Sequence, residues 1–69
     1  MNTTQTLQVL VDLIEFSLQE LCDTPPDKRN DFISGQIYAL SECLETLQLC
    51  SSARTLGLNY DILKRFPSE

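Results

Sequence analysis

Apolar and polar residues recur with helical spacing from Thr3 to Cys22, a stretch without glycine or proline. At about 100° per residue, one narrow polar stripe runs along this helix and consists of Gln5, Gln8, Asp12, Glu15 and Gln19. The apolar residues spread over an arc of roughly 220°, about twice the width that a helix needs to pack on one neighbour. The pattern therefore predicts a helix that is covered on two sides.

Two arrangements would cover the second side: the C-terminal tail of the same chain in a compact monomer, or another copy of the chain. A chain of 69 residues buries a small core and is marginally stable alone. Disulfide and zinc cross-links are disfavoured, because Cys43 and Cys50 stand about 10 Å apart on a helix and the sequence has no histidine. We therefore expect a homo-oligomer, most simply a dimer, without cofactor or metal.

A second helix follows the break at residues 23–27, which contains two consecutive prolines. We expect it over about residues 25–56, with Thr24 as its N-cap, Pro25 in its first turn and Gly57 closing its C-terminus. Cysteines 43 and 50 fall on its main apolar stripe. A second apolar ridge on its otherwise polar side consists of Tyr38, Leu49 and Leu56.

The tail from residue 58 to 67 is predicted to form a short helix, capped by Asn59 and stopped before Pro67. Its apolar residues need cover, either on the ridge of helix 2 or on a second subunit: Leu58, Ile62, Leu63 and Phe66. Helix 2 outruns helix 1 by about ten residues in a simple hairpin, which leaves its far end uncovered. We place the oligomer interface at this overhang and on helix 1, with Leu13, Phe16, Leu47, Cys50 and Ala53.

Charge and composition narrow the function further. Ten acidic and five basic side chains give a net charge of −5, which disfavours binding to the phosphates of nucleic acids. No apolar run approaches the roughly 18 residues of a membrane span, and the N-terminus lacks the basic region of a signal peptide. Three cysteines without a Cys-x-x-Cys pair are typical of free thiols. We therefore expect a cytoplasmic protein that binds neither membrane nor nucleic acid.

An enzyme is not expected, because histidine, the commonest general base near neutral pH, is absent. The polar stripe of helix 1 and the ridge of helix 2 are alternative surfaces for a partner protein, with Asp12, Glu15, Tyr38, Leu49 and Leu56 as candidate contacts. A competing hypothesis is an oligomer that binds a small anion such as a nucleotide at a subunit interface. Its candidate cations are Lys28, Arg29 and Arg54.

Three segments carry a family resemblance: residues 35–45 (Gly-Gln-Ile-Tyr-Ala-Leu-Ser-Glu-Cys-Leu-Glu), 57–62 (Gly-Leu-Asn-Tyr-Asp-Ile) and 65–67 (Arg-Phe-Pro). Together with the stretch between them they span about half of the chain. They resemble short uncharacterised helical proteins of Gram-positive bacteria and their phages or mobile elements, which have a similar Tyr-Ala-x-x-Glu-Cys-Leu-Glu core. The resemblance implies a small bacterial or phage protein and no particular activity.

The sequence as a whole predicts a single all-α domain over residues 1–69. Its fold is a helical hairpin, with helix 1 at about 3–22 and helix 2 at about 25–56, plus a short C-terminal helix, assembled as an oligomeric helical bundle. The predicted function is non-enzymatic binding of a partner protein, as a regulator or a phage-type inhibitor of a host defence system.

Overall fold

The computed structural model describes residues 1–68, which form helices, turns and no strand. Helix α1 spans Thr3–Cys22, α2 spans Asp31–Gln48 and α3 spans Ile62–Arg65, with one 3-10 turn at Pro26–Lys28. The predicted fold class, an all-α hairpin with a short C-terminal helix, is confirmed.

Helix α1 begins and ends where the sequence predicts. Asn2 forms a reciprocal cap with Gln5: its side-chain oxygen accepts from the Gln5 backbone N–H at 2.8 Å, and its own N–H donates to the Gln5 side chain at 2.9 Å. At the other end, the Asp23 N–H donates to the Gln19 carbonyl at 3.0 Å and closes the last turn. Both ends are therefore fixed by local sequence.

Helix α2 starts six residues later than the expected position 25, so the predicted cap at Thr24 and first turn at Pro25 are wrong. The two prolines instead lead into the 3-10 turn, and Asn30 is the N-cap, its side chain accepting from the Ile33 N–H at 2.9 Å. Asparagine is a stronger cap than threonine. Pro26 also restricts Pro25, the residue before it, to extended backbone, so Pro25 cannot form the first turn of a helix. The helix therefore begins at the second available cap.

Helix α2 also ends at Gln48 rather than near residue 56. The chain then turns tightly, and Gly57 closes this turn with φ +79°, while the Leu58 N–H donates to the Ala53 carbonyl at 2.9 Å. Gly57 thus acts as the predicted C-terminal cap, but of this turn rather than of a long helix. The change of direction buries Leu56 and Leu58, which a continuous helix would have carried away from α1.

The tail runs alongside α1 in the same direction. Leu56 contacts Gln8 near the start of α1, through a Gln8 side-chain hydrogen bond to the Leu56 carbonyl, and the Pro67 carbonyl lies by Cys22 at its end. Asp61, not the predicted Asn59, caps α3 by accepting from the Lys64 N–H at 3.2 Å. The hairpin and the tail therefore form a three-part bundle in which α2 packs on α1, α3 packs on α2, and side-chain contacts of the tail reach α1.

The core is built from all three parts of this bundle. Its buried apolar residues are Val11, Leu18, Ile37, Leu44, Leu56, Leu58, Ile62 and Phe66. Of the tail residues predicted to need cover, only Leu63 stays about half exposed. The tail thus covers the hairpin within one chain, as in the monomer alternative, but it does so in the groove beside α1 and not on the ridge of helix 2.

Candidate protein-interaction surface

One side of α1 remains apolar and uncovered. We define the outer face of α1 by four exposed residues: Val9, Leu10, Leu13 and Phe16. Leu13 is 60% and Phe16 63% exposed. Helical geometry places this face about 160° around the axis from the inner face, which carries Val11 and Leu18 and contacts α2 and the tail. The second covered side that the 220° arc predicts is therefore open in the single chain.

The outer face has an acidic border. Helix α1 contains three acidic side chains and no basic one, and none of the acids lies in its first turn. Glu20 is exposed at the C-terminal end of the outer face. Asp12, a predicted partner contact, is exposed and accepts a hydrogen bond from Gln8 at 2.9 Å. The charged side chains of this helix thus begin at its middle, and its first nine residues carry none.

Glu15, the other predicted contact on α1, is engaged within the chain. Its carboxylate accepts a hydrogen bond of 2.6 Å from the Tyr60 hydroxyl and lies 3.7 Å from the Arg65 guanidinium. That guanidinium also lies 4.9 Å from the centre of the Tyr60 ring and 5.0 Å from that of Phe66. Glu15 therefore anchors the tail to α1.

Burial and the bond to Glu15 together raise the pKa of Tyr60 to about 12. Gln48 holds the same part of the tail from the side of α2, because its amide donates to the carbonyls of Leu58 and Tyr60, each at 2.7 Å. The tail is therefore tied by polar contacts to both long helices.

The predicted ridge on helix 2 does not form. Leu56 is buried at 3% exposure, while Tyr38 and Leu49 remain exposed on the far side of α2. A hydrogen bond to Glu42 raises the pKa of Tyr38. An open depression of about 500 Å³ lies nearby and is lined by Glu42, Glu45, Thr46, Gln48 and Leu49. Leu49 is 87% exposed, but one leucine beside two carboxylates offers less apolar surface than the outer face of α1.

The overhang that was predicted to form the oligomer interface is also absent, because α2 is no longer than α1. Leu47 and Ala53 are partly buried and pack against the core of their own chain. Cys50 is exposed in the turn that follows α2. Only Leu13 and Phe16 of the predicted interface residues lie on an uncovered apolar surface.

The burial of the cysteines also differs from the sequence-based prediction. Cys43 and Cys50 are exposed rather than buried on an apolar stripe: α2 turns Leu40 and Leu44 toward the core and Cys43 away from it, and Cys50 lies in the turn after α2. Cys22 is half-buried, and burial raises its pKa, opposed by the nearby Arg29. All three cysteines are free thiols.

The three candidate anion-binding cations do not meet in one chain. The Arg29 guanidinium donates to the Pro67 carbonyl at 3.1 Å, beside the C-terminal end of α1. Arg54 lies in the turn next to Leu56, beside Gln8. The α1 residues beside these two arginines, Cys22 and Gln8, are about 20 Å apart along the helix. A small anion would therefore need cations from two subunits, as the sequence-based hypothesis assumed.

Within residues 1–68, no group of three histidine, cysteine or acidic side chains is placed to hold a metal ion. The same residues contain no helix with the length and apolarity of a membrane span. Comparison with protein-family models, curated proteins and solved structures gives no match to this chain.

Sequence reasoning placed Leu13 and Phe16 on an interface but left out their neighbours Val9 and Leu10. The width of the apolar arc contains the missing signal, since all four residues lie on one side of the polar stripe. Which part of that arc would be covered depends on where the tail lies, and helical periodicity carries no information on that point.

Proposed function

We propose that this protein is a non-enzymatic interaction protein that acts by packing the outer face of α1 against an α-helix of another protein molecule. The observation that carries the proposal is the contiguous exposure of Val9, Leu10, Leu13 and Phe16. Together they expose roughly 400 Å² of apolar side-chain surface, within the size range of patches that are often functional. Large apolar patches with a polar rim are typical of protein-binding surfaces.

The charge of α1 favours a protein over a membrane as the occupant of this face. Helices that lie on membranes carry lysine and arginine beside their apolar residues, which attract anionic lipids. All three charged side chains of α1 are acidic, so an anionic surface would repel it. A protein helix with an apolar stripe and uncharged or basic flanks has the complementary chemistry.

A single small domain that acts through one apolar face affects a cell by occupying a surface of another protein. We therefore propose the role of a regulator or inhibitor, which fits the resemblance to short phage and bacterial proteins and includes inhibition of a host defence system. Two exposed free thiols, Cys43 and Cys50, favour a reducing compartment, so we propose the cytoplasm as the place of action.

Quantitative affinity capture with a matched pair of variants tests this proposal. Tagged wild type, Leu13→Lys and Leu49→Lys are incubated with a lysate of the source cell, and captured proteins are quantified by mass spectrometry. Both substitutions put lysine in place of an exposed leucine, but only Leu13 belongs to the outer face. We expect at least a tenfold loss of the specific partner with Leu13→Lys, no loss with Leu49→Lys, and the same ranking in calorimetry with the purified partner.

Equal capture by Leu13→Lys and wild type would overturn the proposal, because binding would then not depend on the outer face. Circular dichroism provides the folding control. Leu13 lies outside the core, so the helical signal of its variant should equal that of the wild type.

A further inference from the structure

We infer that a second copy of this chain occupies the outer face of α1, in an antiparallel dimer with Leu13 on the two-fold axis. The inference rests on the proposed function, since it concerns the same face: the second copy occupies it reversibly, and a partner protein binds there by displacing that copy. Three features of α1 support it: the area of the face, the distribution of charge along the helix, and the chemistry of the residues that the symmetry brings together.

The area fits a reversible dimer. Two outer faces together expose roughly 800 Å² of apolar surface, and homodimer interfaces are about 65% apolar. The complete interface would then bury about 1,200 Å², the lower end of the range for specific protein interfaces. We therefore expect a dissociation constant in the micromolar range. The four side chains named above would form the apolar centre of this interface.

The distribution of charge selects the antiparallel orientation. No side chain from residue 1 to 11 is charged, whereas Asp12 lies at the middle of α1 and Glu15 and Glu20 follow in its second half. Parallel packing would place Glu20 beside Glu20 of the partner subunit, and like charges at close range repel. Antiparallel packing places Glu20 beside the uncharged first turns of the other helix. There the helix dipole favours an acid, and α1 has none of its own in its first turn.

Two-fold symmetry about Leu13 pairs each residue of the face with a complementary one. Phe16 faces Leu10 of the partner subunit across the axis, and Glu20 faces Thr6 of the partner subunit, each pair being equally far from Leu13 along the helix. The flat ring of Phe16 thus meets an aliphatic side chain, and the carboxylate of Glu20 meets a small polar residue. Because the contact is isologous, it closes at two copies and leaves no free outer face for further growth.

Sedimentation equilibrium over a concentration series is the first part of the test, under reducing conditions. For the wild type we expect the mass to rise from one to two copies through the micromolar range and to stop at two. Leu13→Lys should stay a monomer at every concentration, and the matched variant Leu49→Lys should behave as the wild type. A monomeric wild type, a mass above two copies, or a dimeric Leu13→Lys would overturn the inference.

Disulfide trapping tests the orientation. Thr6→Cys and Glu20→Cys are made separately in a background of Cys22→Ala, Cys43→Ser and Cys50→Ser, whose fold is first checked by circular dichroism. In the antiparallel dimer, oxidation cross-links a mixture of the two variants and neither variant alone. Cross-linking of each variant with itself would indicate a parallel dimer and would overturn the inference.

Failure of this inference differs from failure of the proposed function. A wild type that is monomeric, but whose capture of a partner protein is lost in Leu13→Lys, removes the second copy and retains the interaction surface. If Leu13→Lys dissociates the dimer but leaves partner capture unchanged, the second copy on the outer face is retained and the proposed function is overturned.

Discussion

The inner and outer faces of α1 have nearly the same chemistry and opposite surroundings. Leu18 on the inner face is fully buried, whereas Leu13, five residues earlier on the outer face, is 60% exposed. Both are leucines in the interior of the same helix. The difference arises because α2 and the tail pack side by side on the inner face and leave the outer face free. Composition alone thus fails to indicate which apolar residues of a short helix form the core.

Truncation of Leu18 and of Leu13 to alanine should give the largest difference in stability between the two faces. We expect Leu18→Ala to lower the free energy of unfolding by about 2–5 kcal/mol, because it leaves a cavity in the core. Leu13→Ala should change it by no more than about 0.5 kcal/mol in the monomer. Urea unfolding followed by circular dichroism measures both losses. The protein concentration is kept low enough that the wild type, like Leu13→Lys, is a monomer. Equal losses would mean that the outer face is covered within the chain.

Removal of the Tyr60 hydroxyl should have an intermediate effect, because it tests how firmly the tail is held on α1. Tyr60→Phe keeps the ring but loses the hydrogen bond to Glu15. We expect a loss of about 1 kcal/mol, since a partly exposed bond to a carboxylate stabilises less than a buried one. Tyr38→Phe is the matched control, because Tyr38 lies on the exposed side of α2. A loss as large in the control would contradict a specific role for the tail contact.

The same contact predicts an alkaline limit to stability. Folding raises the pKa of Tyr60 from 10.0 to about 12, so the folded chain keeps the phenol protonated at pH values where the unfolded chain loses the proton. This contribution is fully present below pH 10 and is lost as the pH rises toward about 12. Unfolding free energies measured across this range should fall less steeply for Tyr60→Phe than for wild type. Parallel curves would contradict the raised pKa.

The smallest expected effect concerns the one polar side chain in the described core. Ser41 on α2 is 1% exposed, and its hydroxyl has no hydrogen-bond partner among residues 1–68. Ser41→Ala should stabilise the fold by about 0.5 kcal/mol more than Ser17→Ala, because only Ser41 loses an unsatisfied buried group. Ser17→Ala is the control: Ser17 is exposed, and its replacement gives the same gain in helix propensity as that of Ser41. A smaller gain at Ser41 would indicate that its hydroxyl is satisfied in solution.

Local patterns predicted the elements that depend on local contacts. The bounds of α1 follow from its apolar periodicity and from the sequence around Asn2 and Asp23. Gly57 was identified as a C-terminal cap because a positive φ favours glycine. The start of α2 is less well predicted, because two caps compete within a few residues, Thr24 and Asn30. Spacing alone does not decide between them.

The candidate surface was predicted only in part, for a different physical reason. Periodicity placed Leu13 and Phe16 on an apolar arc, but the arc is continuous with the core-facing residues. A helix that continues through residues 49–56 would place Leu56 on the surface. The turn after Gln48 reverses that assignment and buries it. An error in the end of one helix thus moved a core residue into a predicted binding ridge.

The sequence by itself determined that this chain is all-α, where its first helix lies, and that this helix has more apolar surface than one neighbour can cover. Only the tertiary structure decided which part of that surface is buried. The tail lies in the groove beside α1, held by Glu15 and Gln48, and burial of Leu56, Leu58 and Phe66 requires it to turn back at residue 49. The contact of Glu15 joins residues 45 positions apart, and those of Gln48 cross the turn after α2, so helical periodicity carries no information on either. The outer face of α1 is the apolar surface that they leave uncovered.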